Sequence, residues 1–441
     1  MRISLLLPLF PAFLFALAQS AQADDEGPWS DATADVLLRN YFLHNDYRHD
    51  DVRDKSYQQE WAQGFIGHFS SGFTPGTLGV GVDAHGFLGI RLDSGRGTSG
   101  TGLLPLDSAG RAEPEYSSAG VALKLRAANS VLKIGEMEVE TPVFDTADKR
   151  LQPEYATGML LESRAIPGAK WVAGHFNAFK NQAQSSAHDD FDGYGVSTQN
   201  QSISLAGVQS VDTGPLGGAV YASQLSDTWR QYYGNLNLRQ DLAPDTKLFW
   251  DANLYRTLDT GRARAGEIAT TASSLMSRLK TGSQTFSLGY QKIHGDTPFD
   301  FVGGDSIYLA NSIKYSDFNG ANEQSWQLRY DLDLAQAVPG LTFMTRYVRG
   351  SGIDGTRAPA GGGYNPFDES RQRYVPSQGK DGRHWERDVT LAYTVPSGPA
   401  KDLSLNLSQV SHRGNAAQGN NDLDRLYIVV EYPFDLMSAR L

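Results

Sequence analysis

The residues that could carry out chemistry in this sequence are its histidines, its aspartates and its glycine-rich segments. The nine histidines are scattered, and pairs such as His44 and His49, or His175 and His188, do not make a metal-ligand spacing on any periodic element. The segment 295–306, GDTPFDFVGGDS, is rich in Asp, which is compatible with a calcium loop. It lacks the regular acidic spacing of an EF-hand, so an ordered loop is favoured.

Catalytic and cofactor motifs are absent as patterns. The chain contains no HExxH, CxxC, P-loop or GxSxG sequence. The glycine-rich segment 361–365, GGGYN, follows no buried strand and precedes no helix, which favours a surface loop over a phosphate-binding loop. Ser, His and Asp are plentiful, yet no spacing selects a catalytic triad. The sequence therefore predicts no enzyme, no metal and no cofactor.

Polar residues instead alternate with apolar ones along much of the chain. In 78–93, LGVGVDAHGFLGIRLD, Leu78, Val80 and Val82 occupy every second position and are apolar. Asp83 and His85 belong to the intervening, largely polar positions. Because successive side chains of a strand point to opposite faces, this pattern predicts a strand with an oily face and a largely polar face. The same alternation recurs in 121–126, 247–254, 286–291, 326–333, 389–395, 402–409 and 426–432.

Turn-forming clusters separate these predicted strands. They lie at 74–77, 213–218, 259–266, 338–340 and 396–402. Short connections alternate with long polar ones such as 93–118, as in an outer-membrane barrel, and about ten residues per strand gives roughly 16–18 strands. A soluble β-sandwich or β-propeller is the alternative. The charges on the polar face of nearly every strand favour a wide barrel, where that face lines water.

Composition and the N-terminus bound the class of protein. The chain has 441 residues, no Cys and a net charge of −11, which argues against binding nucleic acid. Residues 1–23 have one basic residue, an apolar run and a final Ala-Gln-Ala, and this predicts a signal peptide, with a membrane anchor helix as the alternative. After residue 23 no apolar run approaches the ~20 residues of a spanning helix. Residues 24–441 are thus predicted to form one barrel domain.

Several segments of the sequence resemble those of the OprD-type, substrate-specific outer-membrane channels of Gram-negative bacteria. The resemblance lies in 37–42, 60–93, 100–105, 133–144, 226–233, 254–268, 289–320, 325–334, 338–356, 397–404 and 427–436. It covers the predicted mature chain in order and is closest to the branch that takes up basic amino acids and carbapenems. It implies an 18-stranded all-β transmembrane barrel in the outer membrane, monomeric or loosely trimeric. Its partners would be lipid, lipopolysaccharide, the barrel-assembly machinery and small carboxylate-bearing solutes.

The resemblance also implies two inward-folded loops that narrow the pore. They would correspond to 176–200 and 301–320, and the second lacks a glycine-rich insert between Phe301 and Gly303. The residues that line the narrowed part of the pore in this family, called the eyelet, would correspond to Tyr194, Phe301, Asp305, Ser306, Ser312, Tyr315 and Asp317. Phe301 stands where a tyrosine is usual. A basic track that guides carboxylates would include Arg150.

The rest of that basic track departs from the family pattern. The segment 402–409, DLSLNLSQ, has uncharged Asn406 and Ser408 where two lumen arginines are expected. A lysine is replaced by Ala392, and two arginines are replaced by Asn45 and Gln58. Compensating charge could come from Arg48, Arg53, Lys124, Arg126, Arg329 and Arg346. Because the basic track has lost several of its charges, a general diffusion pore is an alternative to a selective one.

Two further functions remain open from the sequence. His175, Asp227 and Ser306 stand at positions suggested as a hydrolytic triad in this family, although no nucleophile elbow or oxyanion motif accompanies them. Pore lining and loop anchoring are the favoured roles. Long loops would also suit an adhesin or a phage receptor. The sequence favours passive, selective diffusion of small hydrophilic solutes, such as amino acids, small peptides, other carboxylates and carbapenem-type antibiotics.

Overall fold

The computed structural model of the protein describes residues 27–48, 55–93, 97–193, 195–197, 199, 202–212, 214–419 and 422–437. The predicted signal peptide, residues 1–23, lies outside these ranges, as do Tyr194 and Arg53. Within the described ranges, no helix is long and apolar enough to cross a membrane.

Twenty-two strands make up the regular structure of the described residues. They are β1 Thr33–Tyr47, β2 Tyr57–Ser70, β3 Leu78–Asp93, β4 Glu115–Ala127, β5 Ser130–Met137, β6 Glu140–Thr141, β7 Phe144–Asp145, β8 Tyr155–Ser163, β9 Ala169–Lys180, β10 Ile203–Ser210, β11 Leu216–Leu225, β12 Trp229–Ala243, β13 Thr246–Asp259, β14 Ala269–Thr281, β15 Gln284–His294, β16 Gln324–Asp333, β17 Leu341–Asp354, β18 Phe367–Asp368, β19 Arg373–Tyr374, β20 Lys380–Thr394, β21 Ser404–Gly414 and β22 Leu423–Asp435. Two pairs, β6–β7 and β18–β19, are small separate hairpins.

The remaining strands form one closed, antiparallel, 18-stranded sheet. Each strand pairs with the next one along the chain, and β1 pairs with both β2 and β22, which closes the barrel. Closure satisfies every strand edge, which is the requirement for a sheet that spans a lipid bilayer. The predicted all-β barrel with 18 strands is confirmed.

The alternation seen in the sequence becomes the two faces of the barrel wall. On β21 the side chains of Leu405 and Leu407 are exposed on the outside, whereas Ser408 is fully buried on the inside. The outward set includes Val121, Leu236, Leu254, Trp326 and Leu328, all more than 40% exposed. An outward apolar band of this kind is the lipid-facing surface of a membrane barrel.

The two rims of the barrel differ in their connections. At one rim the turns are short, as at 128–129, 244–245 and 282–283. At the other rim the connections include 94–114, 138–154, 181–202, 295–323 and 355–379. The predicted loop 93–118 is shorter than expected, because β4 begins at Glu115. The predicted loop 176–200 is likewise wrong for its first five residues, which complete β9.

A cluster of aromatic side chains anchors the long connections to the inside of the wall. Phe144 of the β6–β7 hairpin packs at 5.3 Å from Phe176 and 5.7 Å from Phe191, measured between ring centroids. Phe191 belongs to the connection 181–202 and is fully buried. Tyr255 of β13 packs on Phe299 at 4.8 Å. These contacts bury large apolar area and hold the loops in a fixed position within the barrel.

Candidate functional site

A cavity of about 1070 Å³ lies inside the barrel and is lined by wall strands and by two inward connections. We call it the main cavity. The inward connections are 138–154, which contains the β6–β7 hairpin, and 295–323. The first differs from the predicted loop 176–200, none of whose described residues lines the main cavity. The sequence contained a signal for this difference, since 138–154 carries the glutamates, aspartates and basic residues that face the lumen.

The main cavity is strongly charged and balanced in sign. Its basic lining residues are Arg39, Lys133, Lys149, Arg150, Lys170, Lys314 and Arg346. Its acidic lining residues are Glu138, Glu140, Asp145, Asp148, Glu162, Asp305 and Glu431. Charged walls around a narrow aqueous passage concentrate and orient charged solutes.

Ion pairs occupy most of the basic side chains. The guanidinium of Arg39 lies 2.6 Å from a carboxylate oxygen of Glu431 and 2.5 Å from one of Asp148. The ammonium groups of the wall lysines are also engaged, that of Lys170 at 2.5 Å from Glu162 and that of Lys133 at 2.9 Å from Asp83. Arg346 is 2.6 Å from Asp388, and Lys149 pairs with Asp305. These cations are largely neutralised in place.

Arg150 and Lys314 differ from the other cations of the main cavity. No carboxylate among the described residues lies within ion-pair distance of either side chain. The Arg150 guanidinium donates to the carbonyl oxygen of Lys149 at 3.0 Å. The Lys314 ammonium lies 5.3 Å from the centre of the Tyr427 ring. Burial, reinforced by the charge of Arg346, lowers the pKa of Lys314.

The two inward connections are joined to each other at Asp145, Glu154 and Ser306. One carboxylate oxygen of Glu154 accepts the backbone N–H of Ala147 and that of Gly304, each at 2.8 Å. The Ser306 hydroxyl oxygen accepts the Asp145 N–H at 2.6 Å, and the Tyr308 hydroxyl donates to Asp145 at 2.6 Å. We call this set of contacts the loop junction.

The loop junction brings backbone very close to backbone. Gly303 has a φ of +83°, and a Cβ at this position would lie 2.3 Å from the Asp145 carbonyl oxygen. Only glycine fits both conditions. Burial raises the pKa of Asp145 to about 7, opposed by the Tyr308 hydrogen bond. Burial also raises the pKa of Glu154 to about 7, opposed by its backbone hydrogen bonds.

The predicted eyelet residues occupy different environments. Asp305 and Ser312 line the main cavity. Phe301 and Ser306 are predicted to line the pore but do not line the main cavity. Phe301 is buried against Phe299, and Ser306 is fully enclosed in the loop junction. The Ser312 hydroxyl donates to Asp317 at 2.6 Å, and burial raises the pKa of Asp317.

Tyr315, the remaining described eyelet residue, lies over a cation that the sequence analysis missed. Its ring centre is 4.7 Å from the guanidinium carbon of Arg425. Arg425 is buried and donates to the side-chain oxygen of Asn45 at 2.5 Å. The two residues face each other across β1 and β22. The cation expected at position 45 is therefore replaced by one from the neighbouring strand, which only the strand pairing could reveal.

The predicted basic residues do not share one cavity. Arg150 and Arg346 line the main cavity, and Arg329 and Arg346 line a second cavity of about 260 Å³. Lys124 lies 2.7 Å from Asp83, and Arg126 packs on Phe73 at 4.6 Å. Neither of these two lines either cavity. Among the other candidates for compensating charge, Arg48 pairs with Asp424.

Strand register nevertheless aligns arginines around the second cavity. Arg329 of β16 is directly opposite Arg346 of β17. Ser287 of β15 is opposite both Arg329 and Arg278 of β14. Opposed residues of paired strands share a face, so Arg278, Ser287, Arg329 and Arg346 form one row across four strands. Arg278, which the sequence analysis missed, has no carboxylate within ion-pair distance among the described residues.

The three residues considered as a hydrolytic triad are not assembled. His175 is exposed on β9, where its ring nitrogen lies 2.8 Å from the Ser204 hydroxyl. The Asp227 carboxylate lies 3.2 Å from Arg262, and Ser306 is enclosed in the loop junction. No hydrogen bond joins any two of the three residues. The geometry here supports structural roles for them.

A closed barrel with a lipid-facing band and a charged, loop-narrowed lumen defines a membrane channel. Comparison with known proteins agrees: a profile described as "outer membrane porin, OprD family" matches residues 26–436. The chain belongs to the OprD family of outer membrane porins. Homologues in this family are channels rather than enzymes.

Three relatives illustrate the extent of the likeness. Porin D of Pseudomonas aeruginosa is 41% identical over 437 residues, covering 96% of each chain. Porin-like protein GalP of Pseudomonas putida is 33% identical, covering 99% of this chain and 100% of the relative. The crystal structure of Pseudomonas aeruginosa OpdK with vanillate superposes with a TM-score of 0.82 at 37% identity, covering 93% of this chain and 100% of OpdK.

Proposed function

We propose that this porin selects small hydrophilic solutes that carry a carboxylate, such as amino acids, small peptides and aromatic acids. The observation that carries the proposal is the pair of cations in the main cavity, Arg150 and Lys314, that have no carboxylate partner among the described residues. A solute carboxylate would supply the missing partner. That the related OpdK was crystallised with vanillate, a carboxylate, is compatible with this choice.

The arginine row supports a continuation of the path beyond the main cavity. Arg346 and Ser312 line both the main and the second cavity, so a carboxylate that leaves Arg150 and Lys314 next reaches the arginine row. Arg346 and Arg329 of this row pair with Asp388 and Asp331, and Arg278 has no carboxylate partner among the described residues. An acidic residue of the main cavity such as Glu140 would receive an ammonium group at the other end of a zwitterion. Opposite fields at the two ends of a solute orient it in a narrow passage.

Uptake into liposomes tests the proposal. We expect benzoate to enter faster than a neutral sugar of similar size. Arg150→Gln and Lys314→Gln should each slow benzoate about fivefold, the effect of about 1 kcal/mol for one charge pair at 4 Å in water. Lys401→Gln removes the same charge from an exposed turn at the short-turn rim and serves as the matched control.

The outcome also separates the proposal from a general diffusion pore. Asn406 lines the main cavity without charge, which is the specific observation that favours the general pore. If the sugar enters as fast as benzoate, the selective function is wrong and the general pore is right. Export through the signal peptide at 1–23 is part of the same proposal, and N-terminal sequencing of the mature protein should begin at Asp24.

A further inference from the structure

The lumen contains a third space, which adjoins the second cavity behind Tyr308. We call it the neutral recess. It has a volume of about 260 Å³ and shares Asp251, Asn253 and Tyr308 with the second cavity. Its other lining residues are Pro142, Gln209, Ser210, Gly218, Ala219, Tyr221, Tyr233, Asn235 and Asn237. Amide and hydroxyl groups dominate this lining, in contrast to the charged main cavity.

Strand register explains why the charge stops at this part of the wall. Lys170 of β9, which lines the main cavity, is directly opposite Gln209 of β10. The row then continues through Ala219 and Asn235 to Asn253 of β13. Every residue after Lys170 in this row is uncharged. Along this row, four adjacent strands present no charged side chain to the lumen.

Asp251 is the one ionisable carboxylate among the residues that line the neutral recess, and amide groups surround it. One of its oxygens accepts from Asn253, and the other lies 3.4 Å from the Asn235 amide nitrogen. No lysine or arginine among the described residues lines the neutral recess. A solute carboxylate placed here would meet a negative charge and no cation, so the recess disfavours the anions that suit the main cavity.

Two side chains of the neutral recess retain hydrogen-bonding capacity that the described residues leave unused. The oxygen of Gln209 accepts from the Tyr221 hydroxyl at 2.8 Å, and its amide nitrogen has no partner there. The amide nitrogen of Asn237 donates to Asn235 at 2.9 Å, and its oxygen has no partner there. The recess therefore offers one free donor and one free acceptor on the same wall. The rings of Tyr221 and Tyr233, which also line the recess, supply apolar surface.

We propose that the neutral recess is a second solute site, for uncharged molecules with several hydroxyl or amide groups, of which a hexose is the simplest probe. Its volume corresponds to about nine waters, which is enough for one small solute. Hydroxyl groups would take the Gln209 donor and the Asn237 acceptor, and the C–H face of the ring would lie on a tyrosine. This site goes beyond the proposed carboxylate path, which occupies the main cavity and the arginine row.

Ion-current recording in planar bilayers with glucose as the probe tests the neutral recess. Glucose should produce concentration-dependent current blockades in the wild-type channel. Gln209→Leu and Asn237→Leu each remove one free hydrogen-bonding group, so each should weaken glucose binding about fivefold. Asn406→Leu makes a substitution of the same kind in the main cavity and should leave glucose binding unchanged. Asn237 is exposed to the lumen, so Asn237→Leu decides the test if Gln209→Leu fails to fold.

The result can overturn this site independently of the carboxylate path. Absence of glucose blockades, or an equal loss of them in Asn406→Leu and Asn237→Leu, rules out the neutral recess as a solute site. Benzoate uptake, measured in Gln209→Leu and Asn237→Leu, should remain at the wild-type level. Slow benzoate uptake with normal glucose blockades would count against the proposed carboxylate selectivity and leave the neutral recess standing.

Discussion

Replacement of Glu154 by Ala should loosen the constriction. Glu154 is 5% exposed, and one of its oxygens accepts N–H groups from both inward connections. The Ala variant leaves the N–H groups of Ala147 and Gly304 buried without acceptors. Each unsatisfied group costs about 1–3 kcal/mol, so the loop junction should lose about 2–6 kcal/mol. Its contacts through Ser306 and Tyr308 remain, so the connections stay attached but separate far more often.

Single-channel recording at a constant voltage measures this loosening directly. We expect the open channel of Glu154→Ala to switch among several conductance levels, at least tenfold more often than the wild type. Glu154→Gln keeps an acceptor oxygen and should show an intermediate frequency. Glu162→Ala removes a glutamate whose carboxylate pairs with Lys170 in the wall, and it controls for loss of charge. A Glu154→Ala channel as quiet as the wild type would refute the view that this carboxylate holds the constriction.

Three further predictions concern the lumen charge, the loop contacts and the lipid-facing wall. Because the pKa of Asp145 is raised to about 7, this carboxyl is neutral below pH 7 and charged above it. Cation selectivity, taken from reversal potentials, should therefore rise from pH 5 to pH 8, and Asp145→Asn should flatten that rise. Tyr308→Phe removes the hydroxyl that donates to Asp145 and should weaken the loop junction by about 1.5–3 kcal/mol. The conductance should then switch more frequently, and an unchanged switching frequency would contradict this prediction. Leu407→Arg places a charge on the lipid face and should lower the free energy of unfolding by about 2–4 kcal/mol, measured by urea unfolding from vesicles. Asn406→Arg places the same charge in the lumen and should lower the free energy of unfolding much less. Equal losses would mean that the two faces are wrongly assigned.

The barrel wall could be predicted from the sequence because its pattern is local. Leu405 and Leu407 alternate with Asn406 and Ser408, and a strand places such neighbours on opposite faces whatever the rest of the chain does. The structure confirms lipid exposure for the leucines and lumen placement for Asn406. Local information limited the strand number to roughly 16–18, and the family resemblance gave 18.

The lumen lining was less predictable because it depends on which loop folds inward. Residues 138–154 line the main cavity and the described residues of 176–200 do not, although Phe191 of that segment is buried inside the barrel against Phe144. Phe301 and Ser306 belong to the other inward connection, yet both point away from water. A sequence pattern cannot distinguish a loop residue that lines a cavity from one that the opposite loop covers.

The sequence by itself determined the barrel, its lipid-facing surface and its charge-bearing interior, because period-two alternation specifies the two faces of each strand independently. Only the tertiary structure decided which polar groups meet. Asn45 and Arg425 are 380 residues apart and share a hydrogen bond because β1 closes the barrel against β22. Arg278, Arg329 and Arg346 form a row because strand register aligns them across neighbouring strands. Register aligns Gln209 and Asn235 in the same way, on either side of Ala219. Register and loop docking are long-range properties, and they set the chemistry of the lumen.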